Sequence, residues 1–80
     1  MQNKADITVQ FLDWLADTYK GKQITKDEFM RWLRVRVGAD KRTVKSTIEF
    51  LNLFDLVDEK DKLITIKVKN VNRIRRISQG

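Results

Sequence analysis

The stretch from Gly38 to Val57, GADKRTVKSTIEFLNLFDLV, constrains this chain most, because it joins a glycine turn, a capped amphipathic helix and a returning extended segment. Val44, Ile48 and Leu51 recur at i, i+4 and i+7, the spacing of one buried helical stripe, while Arg42, Lys45, Ser46 and Glu49 project from the other side. The carboxylate of Asp40 is placed to accept from the open backbone donors of the first turn, and Gly38 to supply the positive φ that ends a preceding helix. Helix, short glycine turn, helix is the local pattern these positions predict.

The flanking segments follow from the same rules. A first helix is expected to start between Asn3 and Asp6, to end near Tyr19, and to stop at Gly21. Its apolar residues Ile7, Phe11, Leu12, Trp14, Leu15 and Tyr19 cover a wider arc than one small core requires, which fits either a central core helix or one that also enters a dimer interface. Lys22 to Ile24 reads as a short extended piece. Thr25 and Glu28 form a capping-box pattern, so that each would satisfy the other's backbone donor at the start of a second helix. That helix buries Phe29, Met30, Leu33 and Val37 and turns Arg31, Arg34 and Arg36 outwards.

Beyond the third helix, 56–59 and 62–68 read as strands joined at a Lys60-Asp61 tip; Ile64, Ile66 and Val68 alternate with Leu63, Thr65 and Lys67. In Asn70 to Gly80, Val71, Ile74 and Ile77 recur every third residue among Arg73, Arg75 and Arg76. This is either a helix packed on the first helix or its dimer mate, or a basic arm that orders on nucleic acid.

The positions Thr43, Val44, Ile48, Leu51, Asp55, Leu56 and Val57 resemble the second half of a winged helix-turn-helix domain, in which T-V-x-x-x-I/L-x-x-L is followed by a turn residue and Leu/Ile-Val. The family usually has Gly where Asp55 stands, a position needing left-handed backbone that Asp tolerates. The resemblance implies an α+β, mainly helical fold with a three-helix core, a two-stranded wing and room for a short C-terminal helix. On that basis 1–69 is the winged domain and 70–80 a basic amphipathic segment, helix or arm. Helices are expected near 6–19, 26–37 and 41–53, with Phe11, Leu15, Phe29, Leu33, Val44, Ile48, Leu51 and Ile66 mostly buried.

Composition narrows the function. With 80 residues and no cysteine, the chain has no covalent staple, and a core of this size gains from any shared surface. The absence of both cysteine and histidine removes thiol nucleophiles, imidazole bases and the usual zinc ligands, so an enzyme, a metal site or a cofactor is not expected. No small-molecule ligand can be read from the residues. The N-terminal residues lack the basic-then-apolar order of a signal peptide and no apolar run is of membrane-spanning length, so a cytoplasmic protein without a membrane partner is expected.

The net charge of +6 favours a polyanionic partner. It is concentrated: Met1 to Tyr19 has one Lys against three Asp, whereas Lys20 to Lys45 has nine basic residues against three acidic ones. The expected function is sequence-specific binding of double-stranded DNA by a small transcriptional regulator, with the third helix in the major groove. Arg42, Lys45, Ser46 and Glu49 would face base edges, and Lys41, Thr43 and Thr47 the phosphates. Lys26, Arg34, Arg36, Lys60 and Lys62 complete the expected DNA-binding set. The other reading is a winged-helix protein–protein interaction module of a nucleic-acid-processing assembly. A homodimer formed by the first helix and the C-terminal segment is expected as well, presenting two reading helices to an inverted repeat.

Overall fold

The computed structural model describes residues 4–21 and 23–79, with side chains of the last helix through Arg76. Its elements run α1 (Lys4–Thr18), β1 (Ile24–Thr25), α2 (Lys26–Arg36), α3 (Lys41–Leu53), β2 (Val57–Lys60), β3 (Leu63–Ile66) and α4 (Val68–Gln79). The result is a mainly helical α+β domain in which one small antiparallel sheet, ordered β1-β3-β2, closes one side of a helical core. No described helix is long and apolar enough to cross a membrane.

α1 is the hub. Leu12 and Leu15 are completely buried, and Val9 and Phe11 nearly so, in a core cluster to which α2, α3, α4 and the strands also contribute. The Phe11 and Phe29 rings meet at 5.6 Å in a tilted pair. On the flank, Trp14 and Trp32 stand edge to face at 5.0 Å. The Trp32 indole N–H donates to Tyr19 Oη at 3.0 Å, and Tyr19 in turn donates to Glu28 at 2.8 Å. Glu28 therefore closes a side-chain chain between α1 and α2, and of the expected capping box the Thr25 half is present, its hydroxyl accepting from the Glu28 N–H.

The wide apolar arc of α1 is used within one chain. α4 lies against it, with Val71 and Ile74 buried and Arg75 paired to Asp13. The C-terminal segment is thus a helix of the same core, and the two surfaces from which a homodimer was expected cover each other; Ile77, the third apolar residue of that argument, has its side chain outside the described residues. α4 also starts earlier than expected. Val68 is half-exposed at its first position, where the strand alternation had placed an inward residue, because the Lys67 carbonyl already accepts from the N–H groups of Asn70 and Val71.

Turns explain the element ends. At the end of α3, Leu56 N–H donates to Leu51 C=O and Asp55 N–H to Asn52 C=O, while Asp55 takes φ 54°; this left-handed stop seats Leu51 and Leu56 together in the core. α1 ends in the same manner with two left-handed residues, Lys20 at φ 53° and Gly21 at φ 76°, the Gly21 N–H donating to the Ala16 carbonyl. Gly38 does not take a positive φ. Its role is close approach: a Cβ there would lie 2.8 Å from Thr43 Cγ2, so any larger residue in the turn between α2 and α3 would force the Thr43 side chain to shift.

The hairpin turn differs from expectation by one residue. Lys60 pairs with Leu63, leaving Asp61 and Lys62 as the two central residues, both left-handed at φ 54° and 63°. The second hairpin strand is consequently shorter than 62–68. Ile64 is buried between β1 and β2, whereas Ile66 at the sheet's end is only half-buried.

Two predictions follow from these contacts. Lysine in left-handed backbone is strained by about 1 to 2 kcal/mol, part of which glycine returns as chain entropy. Lys62→Gly and Lys20→Gly should therefore each stabilise the fold by roughly 0.5 to 1 kcal/mol in urea unfolding; a loss in both would reject the assigned turns. The hydrogen bond to Glu28, then desolvation, holds the Tyr19 phenol above its ordinary pKa. Its contribution to stability is present below the unfolded tyrosine pKa and is lost as pH rises through the higher folded value. As this is the only tyrosine, alkaline absorbance titration reads it directly, and Glu28→Gln should bring the midpoint down.

Candidate nucleic-acid interface

α3 is held in a defined rotation about its axis. Asp40, extended at φ −64° and ψ 139°, accepts from Arg42 N–H at 3.1 Å and Thr43 N–H at 3.4 Å, which fixes the helix start beside Gly38. The inward side is centred on Thr47 and Leu51, both buried, with Val44 and Ile48 half-buried towards α2. The burial expected of Val44 and Ile48 is therefore only partial. They form the floor of a shallow groove lined also by Arg34, Ala39, Lys41, Lys45 and Glu49.

Thr47 corrects the sequence reading most clearly. Placed among the phosphate-facing residues, it is in fact fully buried, because its hydroxyl donates to the Thr43 carbonyl at 2.7 Å within the helix and so needs no solvent. From α1, the ammonium of Lys4 reaches the same spot. It donates to Thr47 Oγ1 at 2.6 Å, to Ser46 Oγ at 2.9 Å and, at 3.5 Å, to the Thr43 carbonyl. Ser46 is exposed but committed to Lys4 and, at 3.2 Å, to the Thr43 carbonyl. Thr43 itself is half-buried against Gly38.

The outward face that remains is Lys41, Arg42, Lys45 and Glu49, all exposed, and it continues into Asn52. Among the described residues none of these five side chains has an ion pair or hydrogen bond. Arg34 of α2 joins this face across the groove. Arg36 does not: two residues on, it points to the far side of the helix, where its guanidinium lies 3.9 Å above the Trp14 ring. The contact joins α2 to α1.

The remaining expected residues lie near the hairpin. Lys26 is paired with Glu59 at 3.5 Å and flanks a second groove shared with Met30, Ile48 and Asn52. Lys60 and Lys62 are exposed at the hairpin end beside Glu59 and Asp61, so cations and carboxylates alternate there. No group of His, Cys, Asp or Glu among the described residues is arranged to hold a metal ion.

Sequence reasoning missed two residues here. Asn52 was legible, standing three residues after Glu49 and seven after Lys45 on the same face. Lys4 was not, since its contact spans 43 positions and depends on where α1 packs. No protein-family model matches this chain, and no curated protein or solved structure matches it either.

The two buried threonines give opposite expectations. Thr47→Val keeps the volume but leaves the Lys4 ammonium an acceptor short, and should cost about 1 to 3 kcal/mol. Thr8, fully buried on α1 with its hydroxyl unpartnered, should tolerate valine at no cost or gain about 1 kcal/mol. Chemical denaturation of both variants checks the pair, and equal losses would contradict it.

Proposed function

We propose that the chain is a winged helix-turn-helix domain that binds double-stranded DNA in a sequence-specific manner, with α3 as the helix inserted in the major groove. The element order α-β-α-α-β-β, the β1-β3-β2 sheet and the short turn between α2 and α3 support the fold reading. The observation that carries the functional reading is the outward face of α3, where Arg42, Lys45, Glu49 and Asn52 stand exposed on a helix whose rotation is fixed from behind.

On this reading Arg42 and Lys45 donate to guanine O6 and N7, Glu49 accepts from cytosine N4, and Asn52 is suited to adenine. Lys41 and Arg34, flanking the same groove, would meet the phosphates on either side. Ser46 has a smaller part, since its hydroxyl is engaged by Lys4. The hairpin, with its mixed charges, would contribute little to affinity. A transcriptional regulator is the simplest role for such a reader. Within one copy Val71 and Ile74 of α4 already join the core around α1.

A winged-helix protein-interaction module is the second reading. Leu53 and Phe54, exposed by 77% and 41% at the end of α3, favour it.

Binding selection on random duplex DNA at physiological salt separates the two. Enrichment of one short motif is the expected result. Against that motif, Arg42→Ala and Lys45→Ala should each lose about 1 to 3 kcal/mol of discrimination. Arg34→Ala should instead weaken all sequences alike and lower the salt slope by about 0.9. Absence of duplex binding at low salt would favour the interaction module.

A further inference from the structure

The outer side of α4 presents a second cationic surface. Val71 and Ile74 point into the core, and the residues opposite them are Lys69, Asn72, Arg73 and Arg76, all exposed. The cations fall at i, i+4 and i+7, one straight stripe. α4 contains no carboxylate at all, and its fourth cation, Arg75, is turned to Asp13. Among the described residues Lys69, Arg73 and Arg76 have no ion pair.

For a helix that merely faces water this pattern is unfavourable. Like charges three and four residues apart each destabilise a helix by a few tenths of a kcal/mol, on the order of 0.2 to 0.5. Lys69 also lies in the first turn, where the helix dipole opposes a cation. An external polyanion reverses both effects. The stripe spans about 10 Å along the axis, the length scale of a few phosphates along a duplex backbone.

The stripe also has a defined position relative to the proposed reading helix. Arg73 shares a depression with Leu53, Phe54 and Asp55 at the C-terminal end of α3, and Asn70 ties the two elements by donating to the Asp55 carbonyl at 2.6 Å.

We infer that the Lys69–Arg73–Arg76 stripe of α4 is a second DNA-backbone site, gripping phosphates beyond those that α3 would contact and adding affinity without sequence preference. This inference rests on the proposed DNA-binding function. It commits to nucleic acid by charge complementarity, since three cations in one row with an amide beside them match a regular series of phosphates.

The test is the salt dependence of binding to a duplex long enough to extend past the α3 contact. Lys69→Gln, Arg73→Gln and Arg76→Gln combined should lower the slope of log K against log salt by about 2 to 3, at roughly 0.9 per phosphate released. The preferred motif should not change. The charge-conserving variant Lys69→Arg, Arg73→Lys, Arg76→Lys should keep the wild-type slope, and removal of like-charge repulsion should leave the glutamine variant's thermal midpoint unchanged or higher. An unaltered slope, with wild-type DNA binding intact, overturns the inference while the α3 reading stands. Loss of the stripe's charges that abolishes binding to anionic phospholipid vesicles but leaves the duplex slope unchanged assigns it to a membrane surface and overturns it equally. A lost motif preference in Arg42→Ala with an unaltered slope in the glutamine variant would uphold the α3 reading alone.

Discussion

Everything in this domain depends on the burial of α1. An unstapled chain of 80 residues has few apolar side chains to spend, and it concentrates them in one cluster to which α1 gives Val9, Phe11, Leu12 and Leu15. Each fully buried leucine is worth about 1.5 to 3 kcal/mol relative to an exposed one, so exposing any of Leu12, Leu15, Leu33 or Leu56 would remove a large fraction of the stability of a small domain. The terminal helix is part of this economy. Without α4, the flank of α1 that it covers would face water, and the core would lose Val71 and Ile74 as well.

The same hub sets the aim of α3. Its rotation is determined from behind by Thr47 and Leu51, from the N-terminal side by Lys4 on α1, and at its start by Asp40 and the close approach of Gly38 to Thr43. A helix held at so many points presents its outward residues in one orientation, which is the condition for discriminating base edges that differ by a single donor or acceptor. Lys4 is the residue through which the core and the proposed reading face are coupled, because one ammonium touches both a buried and an exposed hydroxyl of α3.

Element boundaries were legible where a side chain terminates the backbone pattern locally. Asp40 and Asp55 bracket α3 at the limits expected, since a cap and a left-handed stop are decided within four residues. Facing was harder to read. Val44, Ile48 and Leu51 define an apolar stripe whose centre is displaced from the true inward direction, because Thr47 can bury once its hydroxyl bonds back to the Thr43 carbonyl. Arg34 and Arg36 looked equivalent, yet two residues turn a helix by about 200°, so one joins the groove and the other covers a tryptophan. The third strand was seen only as an extended piece: two residues long, β1 is defined by pairing with β3, a contact 40 positions away. Val68 obeyed the strand alternation and still became helical, since the alternation says nothing about the Lys67 carbonyl that starts α4.

Charge is sorted in this molecule more than it is simply abundant. The carboxylates of Asp13, Asp55 and Glu59 are spent on cations that fasten one element to another: Arg75 of α4, Lys67 ahead of it, and Lys26 of α2. The Lys67 ammonium is held above its ordinary pKa by the bond to Asp55. Arg36 is likewise consumed by Trp14. What is left over is uneven. The cations without a protein partner among the described residues include Arg42 and Lys45 on α3 and Lys69, Arg73 and Arg76 on α4, and on neither outer face do carboxylates match them in number. A surface evolved only for solubility would intersperse the two signs, because exposed like charges repel and exposed pairs gain almost nothing. Segregating them costs helix stability on α4 and leaves a positive potential along both helices, and the most direct compensation for that cost is a partner that brings its own negative charge at regular spacing.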